Sequence, residues 1–117
     1  MKIAIPKWQD RVSPVFDVAV NLLLIEIENG KEVRREERTL HGTEPLTRIN
    51  EFLGFGVQTL ICGAISAPLA AKLTASGVKV IGFTCGSVED VLTSYVNGGL
   101  SGLTFLMPGC QNGRRRM

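Results

Sequence analysis

The chain has 117 residues, 44% of them hydrophobic and 21% charged, the ordinary balance of one globular domain able to bury about two-thirds of its unfolded surface. No apolar run approaches the roughly 20 residues of a membrane helix and no secretory leader opens the chain, so a membrane role is not expected and the cytoplasm is the expected location. Three of the 13 cations are Arg114, Arg115 and Arg116, leaving 10 against 11 acids, so the body is near neutral and nucleic acid is not an expected partner.

Residues 2–5 (KIAI) predict a short strand, and residues 6–14 (PKWQDRVSP) predict a loop, because two prolines and a polar run interrupt any period. A long β-type run over residues 18–28 meets the hairpin dipeptide Asn29-Gly30. Residues 31–40 return as a charged strand suited to an edge or a solvated face. Thr43 is placed to cap a helix that tolerates Pro45 in its first turn, carries Leu46, Ile49, Phe52 and Leu53 at helical spacing, and stops at Gly54 or Gly56. Residues 57–61 form a buried type of strand. Ser66 then caps a helix with Leu69, Ala70 and Leu73, closed by Gly77, and residues 78–83 give the next strand. Ser87, with Asp90 three residues on, opens a helix whose apolar face is Val88, Val91, Leu92 and Tyr95, before Asn97-Gly98-Gly99.

The order is therefore β-β-β-α-β-α-β-α with a tail. A hairpin pairs antiparallel, whereas strand–helix–strand units favour right-handed parallel crossovers. The expected fold is α/β: a mixed five-stranded sheet, an antiparallel hairpin plus parallel strands, with helices on both faces.

Cys62 and Cys85 each follow an apolar β-type run and precede a helix, which brings both thiols to one rim of the sheet, where open α/β folds place ligands. A thiolate near a helix N-terminus is stabilised by the dipole and free N–H groups, making it a better ligand or nucleophile. Against this stands the simpler reading of cysteine as a small buried hydrophobe. Cys110 lies in the turn-rich segment Met107-Pro108-Gly109-Cys110, where an exposed thiol suits a ligand, a redox handle or an intermolecular link. Three thiols suit a soft metal or a metal–sulfur cluster, although their spacing matches no local metal motif. With an odd cysteine count and no C-x-x-C, a disulfide framework is not expected. His41, the single histidine, sits at a strand-to-helix junction and is the one imidazole able to join such a site. A nuclease is disfavoured because the first strand has no carboxylate for magnesium. Ser66 and Ser87 read as helix caps, since no second histidine exists to activate either. Trp8 reads either as a stacking platform or as a plug over the sheet edge, and the three terminal arginines as an anion contact or a solvated end.

The opening Met1-Lys2-Ile3-Ala4-Ile5-Pro6, the segment Val12-Ser13-Pro14-Val15-Phe16-Asp17-Val18-Ala19, His41-Gly42, and the run from Val57 through Gly63-Ala64 to Gly77-Val78-Lys79-Val80 together resemble the dinitrogenase iron-molybdenum cofactor biosynthesis family. The resemblance covers residues 1–98 and leaves residues 99–117 as a C-terminal extension with Cys110 and the basic end. It implies a ribonuclease H-like fold and a role in binding, carrying or inserting an iron–sulfur or molybdenum–iron–sulfur cofactor, without catalysis. Cys62, Cys85, His41 and Cys110 are then the candidate cofactor ligands, the three cysteines as metal ligands, and metallocofactor assembly or recipient proteins the expected partners. One departure stands out: the family's first loop commonly reads His-Phe-Gly where this chain has Val15-Phe16-Asp17, which removes a histidine ligand. Two other readings remain open. One is a cofactor-free interaction or regulatory domain that keeps the fold; the other is a small thiol-dependent redox protein using Cys110. The apolar stretch over residues 100–107 (LSGLTFLM) has to cover something, either the sheet edge or a second chain in a homodimer.

Overall fold

The computed structural model describes residues 1–97. Ten elements follow in order: β1 (Lys2–Trp8), β2 (Arg11–Val12), a 3-10 turn (Phe16–Val18), β3 (Asn21–Glu28), β4 (Lys31–Thr39), α1 (Pro45–Leu53), β5 (Thr59–Ile61), α2 (Ala67–Ala75), β6 (Lys79–Ile81) and α3 (Val88–Val96). The strands form one mixed sheet in the order β4-β3-β1-β5-β6, with β2 paired to β1 off that path. β1 runs antiparallel to β3 and parallel to β5, and β5 is parallel to β6.

Alternation along the central strands builds two cores. Ala4, Leu22, Leu24 and Leu60 face one way, against Ile49 and Phe52 of α1 and Leu69 and Leu73 of α2. Ile3, Ile5, Leu23, Ile25 and Ile61 face the other, against Val88, Val91 and Leu92 of α3. Helices therefore cover both faces, as expected. Leu22, Leu23, Leu24 and Ile25 of β3 form a continuous apolar run because both faces of the strand are covered there. β4 is one edge strand and is exposed along almost its whole length, which its charges allow.

Two expectations need correction. Among the described residues the sheet has six strands, not five, because part of residues 6–14 is strand: Pro6, Lys7 and Trp8 extend β1, and Arg11 and Val12 form β2. Pro6 escapes its usual role as a breaker because β1 pairs with β5 only at Ile3 and Ala4 and with β2 only at Lys7 and Trp8. It stands between the two ladders, on a residue whose carbonyl accepts from the Ser13 N–H at 2.8 Å. The caps also differ. Glu44 and Ser66 occupy the N-cap positions of α1 and α2 without a side-chain bond, whereas Ser87 caps α3 as expected, accepting from the Asp90 N–H. The expected extension over residues 99–117, with Cys110 and the arginines, lies outside the described residues.

Candidate functional site

Because β1, β5 and β6 are parallel, they end together, and the antiparallel hairpin brings the start of β3 and the end of β4 to the same side. Four connecting segments meet there: residues 13–20, 40–44, 62–66 and 82–87. Hydrogen bonding of the sheet continues into them. Ala64 N–H donates to the Pro14 carbonyl and Phe16 N–H to that of Ala64, each at 2.8 Å, so Val15 and Ala64 form a parallel bridge. Phe83 N–H reaches the Gly63 carbonyl at 2.8 Å and Thr84 N–H that of Cys62 at 2.9 Å. A side chain at residue 63 would not fit, since a Cβ there would stand 2.5 Å from the Pro14 carbonyl oxygen and 2.7 Å from that of Ser13.

Arg48 fastens the far side of this rim. It projects from α1 into the interior and is almost fully buried. One terminal nitrogen donates to the Phe16 and Ala19 carbonyls, both at 2.7 Å, and the other to the Gly42 carbonyl at 2.9 Å. Its guanidinium also lies 5.6 Å from the centre of the Phe16 ring, which itself meets Phe52 edge to face at 5.7 Å. Burial lowers the pKa of Arg48, opposed by the nearby Asp17 and Glu51 carboxylates. A guanidinium that binds three carbonyls remains charged even so. Asp17, in the turn clamped by Arg48, accepts from the Ser66 N–H at 2.9 Å and so supplies α2 with the cap that Ser66 does not. Glu51 does the same for the neighbouring turn, its carboxylate accepting from the N–H groups of His41 and Gly42 at 2.9 Å each. Those two bonds hold its pKa below the usual carboxylate value.

The candidate ligands occupy different depths. Cys62 is fully buried in the core shared with Phe16, Leu60 and Leu69, and burial pushes its thiol up to about 12, with Asp17 adding to the shift. The expected lowering by a helix terminus is overturned at this residue: α2 starts only at Ala67, and the apolar shell dominates. Cys85 is half-buried beside it in the adjoining segment, two residues before the α3 cap. His41 is exposed on the far side of the rim. Cys110 lies outside the described residues. No three His, Cys, Asp or Glu side chains among the described residues gather into a metal site.

Around the rim the surface is apolar. Trp8 is 58% exposed, Val18 73%, Val20 53% and Phe83 47%. Phe83 also has φ +57°, a left-handed conformation that bulky residues rarely adopt and that often marks a functional loop. Trp8, Val18 and Val20 line a cleft of about 350 Å³ with Lys7 and Ser13, and a shallower groove of about 550 Å³ runs past His41, Thr47 and Asn50. Of these features, Arg48, Glu51 and the capping role of Asp17 escaped sequence reasoning. A signal for Arg48 existed, since it stands beside Ile49 and one helical turn before Phe52 on the buried face.

A mixed sheet with four of its connecting segments gathered at one end, over a buried cation and a buried thiol, and with helices on both faces, defines the class: a small mixed α/β domain. Residues 1–98 match the model of the family described as dinitrogenase iron-molybdenum cofactor, and the chain belongs to that family. No curated protein matches the chain. Among solved structures, it resembles a protein from Methanocaldococcus jannaschii provisionally described as a dinitrogenase, with 18% identity and TM-score 0.70, covering 90% of this chain and 96% of that one. A provisionally assigned NifB protein from Thermotoga has 27% identity and TM-score 0.64, covering 88% and 96%. The apo form of the orange protein from Desulfovibrio gigas has 17% identity and TM-score 0.71, covering 90% and 94%. These likenesses establish a shared fold over nearly the whole of each relative.

Proposed function

We propose that this protein binds, carries or inserts an iron–sulfur or molybdenum–iron–sulfur cofactor as a non-catalytic accessory of metallocofactor assembly. The cofactor is its cargo, and assembly or recipient proteins in the cytoplasm are its partners. Family membership over residues 1–98 carries this reading. The rim supports it: Cys85 is half-buried and His41 exposed there, within reach of solvent, while Cys110, the third candidate thiol, lies outside the described residues. Cys62 is fully buried and keeps its proton, which a metal would have to displace, so it is the least accessible of the candidate ligands among the described residues. We further assign the fold to the ribonuclease H-like group, on the hairpin-then-parallel order β4-β3-β1-β5-β6. No helix among the described residues is long and apolar enough to cross a membrane.

The test is anaerobic purification from a host that builds iron–sulfur and molybdenum cofactors, followed by metal and sulfide analysis and a visible spectrum. Stoichiometric metal that is lost in a Cys85→Ala/Cys110→Ala variant is the expected result. Protein that stays metal-free after reconstitution with both cluster types overturns it. A second reading, the cofactor-free interaction domain, is favoured by the exposed Trp8, Val18, Val20 and Phe83 and by Val15 in place of a histidine. Metal-free protein that still captures an assembly partner from its native host would support that reading.

A further inference from the structure

The apolar residues around the rim form one patch with a hollow at one end and a projection at the other. The hollow is the cleft of about 350 Å³ walled by Trp8, Pro14, Val18 and Val20. The projection is Phe83, 47% exposed on a residue held in a left-handed conformation that the surrounding fold must maintain against its cost. Backbone contacts join the two ends. Val15 follows Pro14 and bridges to Ala64, and Phe83 N–H donates to the carbonyl of the adjacent Gly63 at 2.8 Å. Those steps cross columns of the sheet about 4.8 Å apart, so Phe83 stands about 10 Å from Val15, on the side away from the cleft.

We infer that this rim is a self-association surface, on which two copies of the chain pair about a two-fold axis beside Val15 and Ala64, Phe83 of each copy entering the Trp8 cleft of the other.

Shape, area and charge all favour a second copy as the occupant. An isologous interface uses one patch twice, so it needs a knob and a hole on that same patch, and the rim carries both. The cleft has room for the ring, since a benzene-sized group fills a cavity of about 150 Å³. Weighted by exposure, Trp8, Val15, Val18, Val20 and Phe83 present about 400 Å² of apolar surface. A stable interface takes roughly 800 Å² from each partner, a little over half of it apolar, and the patch matches that core. A two-fold axis also sets groups near it against their own copies, where like charges repel. Residues 12–16, 62–66 and 81–87 hold no charged side chain, and Asp17, next in the chain, is engaged by the Ser66 N–H at 2.9 Å.

This inference does not depend on the cofactor reading, and metal-free protein serves to test it. The full-length chain is followed by sedimentation velocity and by acrylamide quenching of Trp8, its single tryptophan, from dilute to concentrated solution. Pairing predicts a dimer at the concentrated end, with the indole shielded from quencher in step with the dimer fraction. Because each contact occurs twice in the pair, Val18→Asp in the cleft wall and Phe83→Lys at the projection should each raise the dimer Kd by about tenfold or more. Both residues are exposed, so neither change disturbs the core. An equimolar mixture of the two variants should dimerise again, since the mixed pair keeps one native contact and sets the new ammonium against the new carboxylate in the other. Such recovery is beyond a variant that merely folds poorly. A chain that stays monomeric at every concentration overturns the inference, as does a dimer indifferent to both substitutions, or a mixture of variants that stays apart. Trp8 shielded equally at all concentrations also overturns it, because its cover then belongs to the same chain.

Discussion

Arg48 shows how one side chain can decide the shape of a site that it does not itself present. Its three carbonyl acceptors belong to two different segments of the rim; the bonds to Phe16 and Ala19 are buried and the one to Gly42 is partly buried. Hydrogen bonds to charged groups contribute about 1.5–3 kcal/mol, and an orphaned buried acceptor costs about 1–3 kcal/mol. Arg48→Ala is therefore expected to lower unfolding free energy by about 3 kcal/mol or more in a urea titration, with Arg48→Lys recovering only part because an ammonium lacks the planar fork. Cys62 gives a second prediction. Its thiol keeps its proton in the fold up to about 12, whereas an unfolded cysteine loses it near 8.5. Between those values the native state binds more protons than the unfolded state, so stability is complete below the lower value and is lost as pH rises toward the upper one. Urea midpoints measured between pH 7 and 10 should fall, and less so in Cys62→Ala. At neutral pH, thiol-reagent labelling should modify Cys85 well before Cys62.

At the scale of elements, the rim is a set of loops that continue the sheet's hydrogen bonding, and the closeness of that contact is its weak point. Gly63→Ala pushes a methyl group against the carbonyls of Ser13 and Pro14, which are backbone and cannot turn aside. Overpacking of this kind costs about 1–3 kcal/mol, and hydrogen exchange should speed first at the Phe16 and Ala64 amides that bridge the two segments. The turn before α1 is held differently. Glu51 accepts from His41 and Gly42, and its lowered pKa means that this support is present above the ordinary carboxylate pKa and is lost as pH falls through the lowered value. An NMR titration should show the His41 and Gly42 amide shifts following the Glu51 carboxyl at an acidic midpoint, and Glu51→Gln should abolish that dependence. The caps make the same point from the other direction. α3 carries its own cap in Ser87, whereas α2 borrows Asp17 from a turn 49 residues earlier.

For the whole molecule, cargo bound to the native rim alone should stabilise the fold by linkage. Metal-loaded protein is expected to gain about 2.7 kcal/mol over metal-free protein at a hundredfold excess of ligand over its dissociation constant, read as a rise in melting temperature that Cys85→Ala/Cys110→Ala removes. An unchanged melting temperature in demonstrably loaded protein would mean that the unfolded chain binds the cargo as tightly as the folded one. Much of this architecture is legible in the residues. The runs at β3, β5 and β6, the Asn29-Gly30 hairpin, the charged edge strand and the three helices follow from period and turn chemistry, because those forces act between near neighbours in the chain. The order of elements also dictates that Cys62 and Cys85 end at one side of the sheet. What the residues alone misjudged depends on partners distant in sequence: Pro6 within a strand because two ladders change over there, Arg48 buried because three carbonyls await it, and Asp17 as the cap of a remote helix. Cys62 is the sharpest case. Its sequence neighbourhood promises a thiolate at a helix terminus, and the apolar shell assembled only by folding keeps the proton on sulfur, because desolvation is set by everything packed around a group and not by what precedes or follows it in the chain.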